Sequence, residues 1–173
     1  MKENRIRPED VDRIVTYYGD FVQPLCEPLA GRQKPASGLD AKFSIPFSVA
    51  VAAVKGNVLI DDFGPVGLHD PKVLDMAQKV EPKYDERLNL TQTTPPGVVE
   101  IKTKQGTSYR KEVDKQYGHP QNPLTWEGLK MKFQDCFQHS VKPLPAENVP
   151  RIIKLVENLE NVSDVSEIMG LLA

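Results

Sequence analysis

The chain has 173 residues, with 22 Lys and Arg interspersed among 24 Asp and Glu and a formal net charge of -2, so no large positive field exists for a phosphate backbone and nucleic acid is not an expected partner. The opening MKENRIRPED is charged and lacks the apolar centre of a signal peptide, and no apolar run approaches the ~20 residues of a membrane helix. A cytoplasmic protein with no membrane partner is expected, long enough for one domain on the usual ~100 to 200 residues.

Taken in order, Arg7-Pro8-Glu9-Asp10 reads as a helical turn with acids at its start. The run after it, residues 12–18, fits a helix by the spacing of Val11, Ile14, Val15 and Tyr18, while its β-branched and aromatic content favours a strand. Residues 21–39 carry Pro24, Pro28, Gly31, Pro35 and Gly38 and are expected as a long loop that delivers the chain to a central helix.

That helix lies within residues 40–56, DAKFSIPFSVAVAAVKG. Ser44 can cap its N-terminus, Pro46 falls in the first turn, and Lys55-Gly56 supply a last-turn cation and an easy exit. Between Ile45 and Val54 the only polar side chain is Ser48, which predicts a helix buried on nearly all sides.

Residues 57–63 are expected as a short edge segment broken by Gly64-Pro65. Asp70 then caps a helix with Pro71 at its first position and Val73, Leu74 and Ala77 on its apolar stripe. Residues 79–84, KVEPKY, alternate like a strand that Pro82 confines to an edge. Residues 91–96 read as a loop. Residues 98–103 and 107–113, joined through Lys104-Gln105-Gly106, form the strongest hairpin signal, with Val99, Ile101, Tyr109 and Val113 able to share a face.

A turn-rich loop over residues 117–125 ends at Thr125, a cap for a helix over Trp126–Gln138 whose buried stripe is Leu129, Phe133, Cys136 and Phe137. A further helix begins near Asn148 with Pro150 in its first turn and Val149, Ile152, Ile153, Val156 and Leu159 on one side. A last short helix from Ser163 carries Val165, Ile168, Met169 and Leu172. The order predicts an α+β fold, a two-layer domain with an antiparallel or mixed sheet, one buried central helix and C-terminal helices.

Chemistry-bearing motifs are sparse. His69, His119 and His139 lack helical metal-ligand spacing and suit loop or surface roles, and Cys26 and Cys136 form no C-x-x-C pair, so no metal site is expected and the thiols are expected reduced. Lys42 and Ser44 stand beside a helix N-terminus whose free N–H groups and partial positive charge favour a carboxylate. A plain cap and a solvated lysine account for the same two residues, and the pattern leaves both readings open.

The string Ala41-Lys42-Phe43-Ser44-Ile45-Pro46-Phe47 with the Val/Ala helix and Lys55-Gly56 closely resembles the C-terminal domain of the MmgE/PrpD family. In the same order follow counterparts of Arg7-Pro8-Glu9-Asp10-Val11, of Leu68-His69-Asp70-Pro71, of residues 117–125 (YGHPQNPLT), and of Lys132-Phe133. The family includes 2-methylcitrate dehydratase, cis-aconitate decarboxylase and iminodisuccinate epimerase.

The resemblance implies metal-independent lyase or isomerase chemistry on small polycarboxylates, without a cofactor. It implies a lid domain over residues 1–173 that completes a substrate cleft against an all-helical domain. Lys42, Ser44 and Phe47 are the substrate-binding positions it marks, and at Phe47 many relatives carry tyrosine. Relatives also carry a Lys, Pro, Cys and His motif just before the segment matching Arg7, and most of their active-site residues precede that. The helical domain is therefore expected from a partner chain or another part of a longer protein, the isolated chain is expected to be inactive, and a homodimer is an expected assembly. A stand-alone binding or assembly module that kept the fold is the alternative.

Overall fold

The computed structural model describes residues 1–90 and 95–173. Contacts divide the chain into two compact units, Met1–Asn122 and Pro123–Ala173.

The first unit is built on a four-stranded mixed sheet of order β2-β1-β3-β4, comprising β1 (Val11–Tyr18), β2 (Val80–Tyr84), β3 (Gly97–Thr103) and β4 (Ser108–Val113). The β-branched run after Asp10 is a strand, as its composition favours. β2 lies parallel to β1 at the sheet edge, where Pro82 deprives no central ladder of a donor. β3 pairs antiparallel with both β1 and β4, and Ile101 opposite Tyr109 and Gly97 opposite Val113 put the expected hairpin residues on one face. Of the loop expected over residues 91–96, positions 91–94 lie outside the described residues, and the next two have no regular structure.

Between β1 and β2 the chain forms α1 (Gln23–Cys26), α2 (Leu29–Gln33), α3 (Gly38–Lys42), α4 (Ile45–Lys55) and α5 (Pro71–Ala77). The long loop expected over residues 21–39 is thus corrected to a string of one-turn helices. Its prolines punctuate the helices instead of abolishing them, with Pro24 in the first turn of α1 and Pro28 preceding α2.

Central to the unit is α4. Ser44 Oγ accepts the Phe47 N–H at 3.1 Å, and Gly56 closes the helix at φ 76°, a backbone that glycine adopts without strain. Phe47, Ala50 and Val51 are fully buried against Ile14 and Val11 of β1, Val80 of β2, Ile101 of β3 and Val73, Met76 and Ala77 of α5. The other side of α4 is open: Ala52 is exposed, and Val49, Ala53 and Val54 are half-buried. Burial on nearly all sides therefore does not hold. An all-apolar helix lacks a polar face, yet the sheet and α5 cover only one of its sides.

Residues 57–63 form no strand, and a 3-10 turn spans Ile60–Phe63. Asp62 is the reason: one carboxylate oxygen accepts the Leu59 N–H at 2.7 Å and the other holds Lys55 Nζ at 2.6 Å. Such local side-chain bonds to the backbone compete with a strand ladder. Asp70 caps α5 as read, accepting the Lys72 N–H at 3.0 Å.

In the second unit, α6 (Trp126–Gln138), α7 (Asn148–Glu157) and α8 (Ser166–Leu171) enclose Phe137, Ile152 and Leu171, with Phe133, Val149, Leu155 and Ile168 packed around them. Thr125 caps α6 as expected, accepting the Gly128 N–H at 3.1 Å. The stripes read from spacing are corrected in part, because Leu129, Cys136, Val156, Leu159, Val165, Met169 and Leu172 are exposed. Buried Asn148 donates Nδ2 to the Leu171 carbonyl at 2.8 Å, which ties α7 to α8.

Among the described residues no helix is long and apolar enough to cross a membrane.

Candidate functional site

The junction of α3 and α4 is assembled by short-range bonds. Ser37 Oγ caps α3 by accepting the Asp40 N–H at 3.1 Å and donates back to the Asp40 carboxylate at 2.7 Å. The chain leaves α3 at Phe43 and re-enters a helix at Ser44 within two residues, so the Ser44 hydroxyl faces two tasks. It accepts from Phe47 N and donates to the Arg32 carbonyl at 2.5 Å. Arg32 in turn donates Nη1 to the Phe43 carbonyl at 3.1 Å and Nε to the Glu27 carbonyl at 3.2 Å, while buried Gln33 donates to the Val80 carbonyl at 3.1 Å. α2 is thereby tied to both the helix junction and the edge strand.

Of the three expected site residues, Ser44 is 2% exposed and Phe47 is 0% exposed, whereas Lys42 is exposed with no ion-pair partner among the described residues. Ser44 and Phe47 belong to the interior of this unit and Lys42 to its surface, so the three do not converge on one cavity. Lys42 shares the exposed end of α3 with Leu39, Asp40 and Phe43. Leu39 and Phe43, one helical turn apart, are 67% and 55% exposed. Large apolar side chains flanking a cation suit a contact surface for a partner or for a ligand with both apolar and carboxylate character.

Behind α1, Tyr18 donates its hydroxyl to Glu27 Oε1 at 2.5 Å, and Gln23 Nε2 donates to the other carboxylate oxygen at 2.9 Å. The Tyr18 hydrogen bond, with Gln23 second, holds the Glu27 carboxyl below its ordinary range. The same bond, reinforced by burial, pushes the Tyr18 phenol up to about 12, and burial pushes the Cys26 thiol up to about 11. Both folded values lie above the ordinary 10.0 and 9.0, so the unfolded chain loses these protons first. The stability they contribute is complete below pH 9 and declines as pH rises through the window to about 12. Thermal melts from pH 8 to 12 check this: Tyr18→Phe should show a shallower decline above pH 10 than the parent, and equal slopes would contradict it.

The histidines are tied to backbone near their own positions. His69 Nδ1 lies 2.7 Å from the Pro65 carbonyl, His139 Nδ1 lies 2.7 Å from the Asp135 carbonyl, and His119 Nδ1 accepts the Gln121 N–H at 3.0 Å. Among the described residues no group of three His, Cys, Asp or Glu could hold a metal ion.

Arg32 and Glu27 are residues that sequence reasoning missed here, because the proline-rich stretch around them reads as loop, and Tyr18 was read only as part of the run that forms β1. One signal was available: Ser37-x-x-Asp40 has the spacing of a helix-capping pair and marks the start of α3.

The family model "MmgE/PrpD C-terminal domain" matches residues 1–161. Cis-aconitate decarboxylase of Homo sapiens is 27% identical over 132 residues, covering 74% of this chain and 26% of that protein. Cis-aconitate decarboxylase of Mus musculus is 28% identical over 158 residues, covering 91% of this chain and 30% of that protein. The chain thus spans less than a third of the length of these curated relatives.

Proposed function

Because the chain belongs to the MmgE/PrpD family through its C-terminal domain, we propose that it acts as the lid of a lyase or isomerase of small polycarboxylates, closing a substrate cleft against a helical domain. The observation that carries this reading is the surface at the start of α4, where Leu39, Lys42 and Phe43 are built onto a rigid, capped junction and left uncovered. Apolar contacts would seat the helical domain there, and the Lys42 ammonium, near the positive end of α4, would attract a substrate carboxylate. Cis-aconitate, the substrate in the relatives' name, is a compound of that class. Lyase chemistry on such acids needs positioned general acids and bases, and in this reading the helical domain supplies them.

A second reading is a binding or assembly module that kept the fold without catalysis. It is favoured by the commitment of both Ser44 hydrogen bonds to structure and by Phe47, which has no hydroxyl and lies wholly inside.

Activity assays separate the two. The purified chain alone should not turn over 2-methylcitrate, citrate or cis-aconitate, since each positioned acid or base is worth about 10²- to 10⁴-fold in rate. Mixing with a helical-domain polypeptide should restore turnover, and Lys42→Ala should raise KM in the mixture. Turnover by the chain alone that a Lys42 or Ser44 substitution abolishes would refute the lid reading. A mixture that binds tightly and stays inert would favour the module.

A further inference from the structure

In the first unit the helical layer over the sheet is incomplete. α4 and α5 pack over β1 and β2, and beside α4 lies a groove of about 940 Å³ whose floor is made by buried Ile14 and Ile101 and half-buried Val99, on one face of the sheet. Val49, Ala52 and Ala53 form its helical wall, and the segment from Met1 to Pro8 forms the facing one. The groove is open to solvent, with Ala52 exposed along it.

The apolar lining left partly open is exposed Ala52 with half-buried Val49, Ala53 and Val99, and an apolar helix side beside a sheet is ordinarily covered by a second helix in the same layer. The dimensions agree. A helix about 10 Å across with a 1.5 Å rise occupies roughly 120 Å³ per residue, so the groove takes about two turns fully seated, or more if half-seated. Ala52, Ala53 and Gly56 place no bulk on the wall, which suits the ~8 to 10 Å separation of packed helix axes. A small apolar ligand, in contrast, is normally enclosed over 70–90% of its surface, which a groove open along its length does not do.

Charge identifies the partner's edges. The lining carries five cations, Lys2, Arg5, Arg7, Lys55 and Lys111, against one carboxylate, Glu3, which is ion-paired to Lys111. Arg7 and Lys55 are neutralised by Asp10 and by Asp62, whereas Lys2 and Arg5 have no ion-pair partner among the described residues. We propose that this groove seats an amphipathic α-helix of a separate polypeptide, apolar toward Val49, Ala52 and Val99 and bearing carboxylates that meet Lys2 and Arg5. The source of the helix rests on the helical partner argued above; the seat itself does not.

Fluorescence anisotropy with the full 173-residue chain tests it, using a labelled 15-residue Leu/Ala helix flanked by Glu and the same peptide with Lys in place of Glu. The Glu peptide should bind, with the Lys peptide, Ala52→Glu and Arg5→Glu each weakening binding by tenfold or more. Ala52 and Arg5 are exposed, so both variants should melt as the parent does. Equal binding of the two peptides, no binding of either, or no effect of Ala52→Glu overturns the proposal. So does a sedimentation result in which the chain is a dimer that Ala52→Glu dissociates, or dodecanoate binding that Ala52→Glu abolishes while neither peptide binds. Because the readout is binding, an inactive helical-domain mixture leaves the groove proposal standing, and a failed peptide leaves the lid reading standing.

Discussion

Replacing Val51 by Asp is expected to abolish the cooperative unfolding transition of the first unit. Val51 is 0% exposed and packs within the apolar cluster that joins α4 to the sheet and α5. An unpaired buried charge costs several kcal/mol, comparable with the ~5 to 15 kcal/mol that holds a domain together. Val54→Asp should be milder, because Val54 is half-buried at the groove side of the same helix. Ser48→Ala should stay within about 1 kcal/mol, since Ser48 is half-buried one turn past the cap. Circular dichroism melts of the three variants decide the matter. A Val51→Asp protein that melts cooperatively within a few degrees of the parent would show that α4 is not the core.

Phe47→Ala is expected to destabilise the first unit by about 3 to 5 kcal/mol, the usual cost of removing a buried ring and leaving its cavity. Phe47 is the largest fully buried side chain, and its ring lies 6.4 Å from that of Phe63. This effect separates structure from chemistry at a position the family resemblance marks for substrate. If Phe47 is core alone, Phe47→Leu should recover most of the stability and leave partner binding unchanged. A Phe47→Ala protein that melts like the parent but loses a partner-dependent activity would place the ring at the substrate instead. Chemical denaturation of Phe47→Ala and Phe47→Leu beside the parent provides the measurement.

What sequence alone determined here is whatever depends on near neighbours in the chain. The caps at Ser44, Asp70 and Thr125 place a hydroxyl or carboxylate within three residues of the N–H it accepts, so their positions carry the helix starts directly. The hairpin and the edge placement of β2 follow likewise from Gly106 in the turn and Pro82 in the strand. The order of the elements carried the fold class, and the family string at residues 41–47 carried the expectation of a polycarboxylate site. Tertiary structure decided the rest. Whether α4 is buried all round depends on what lies across from Ala52, which apolar composition does not reveal. Whether residues 21–39 are loop or helical turns depends on Arg32 and Gln33 finding the carbonyls of Phe43 and Val80, 11 and 47 residues away. Lys42, Ser44 and Phe47 are close in sequence, yet a helix start turns the hydroxyl and the ring inward and leaves the ammonium outside. Burial is a property of the surrounding elements, and a local pattern records only the residues that make it.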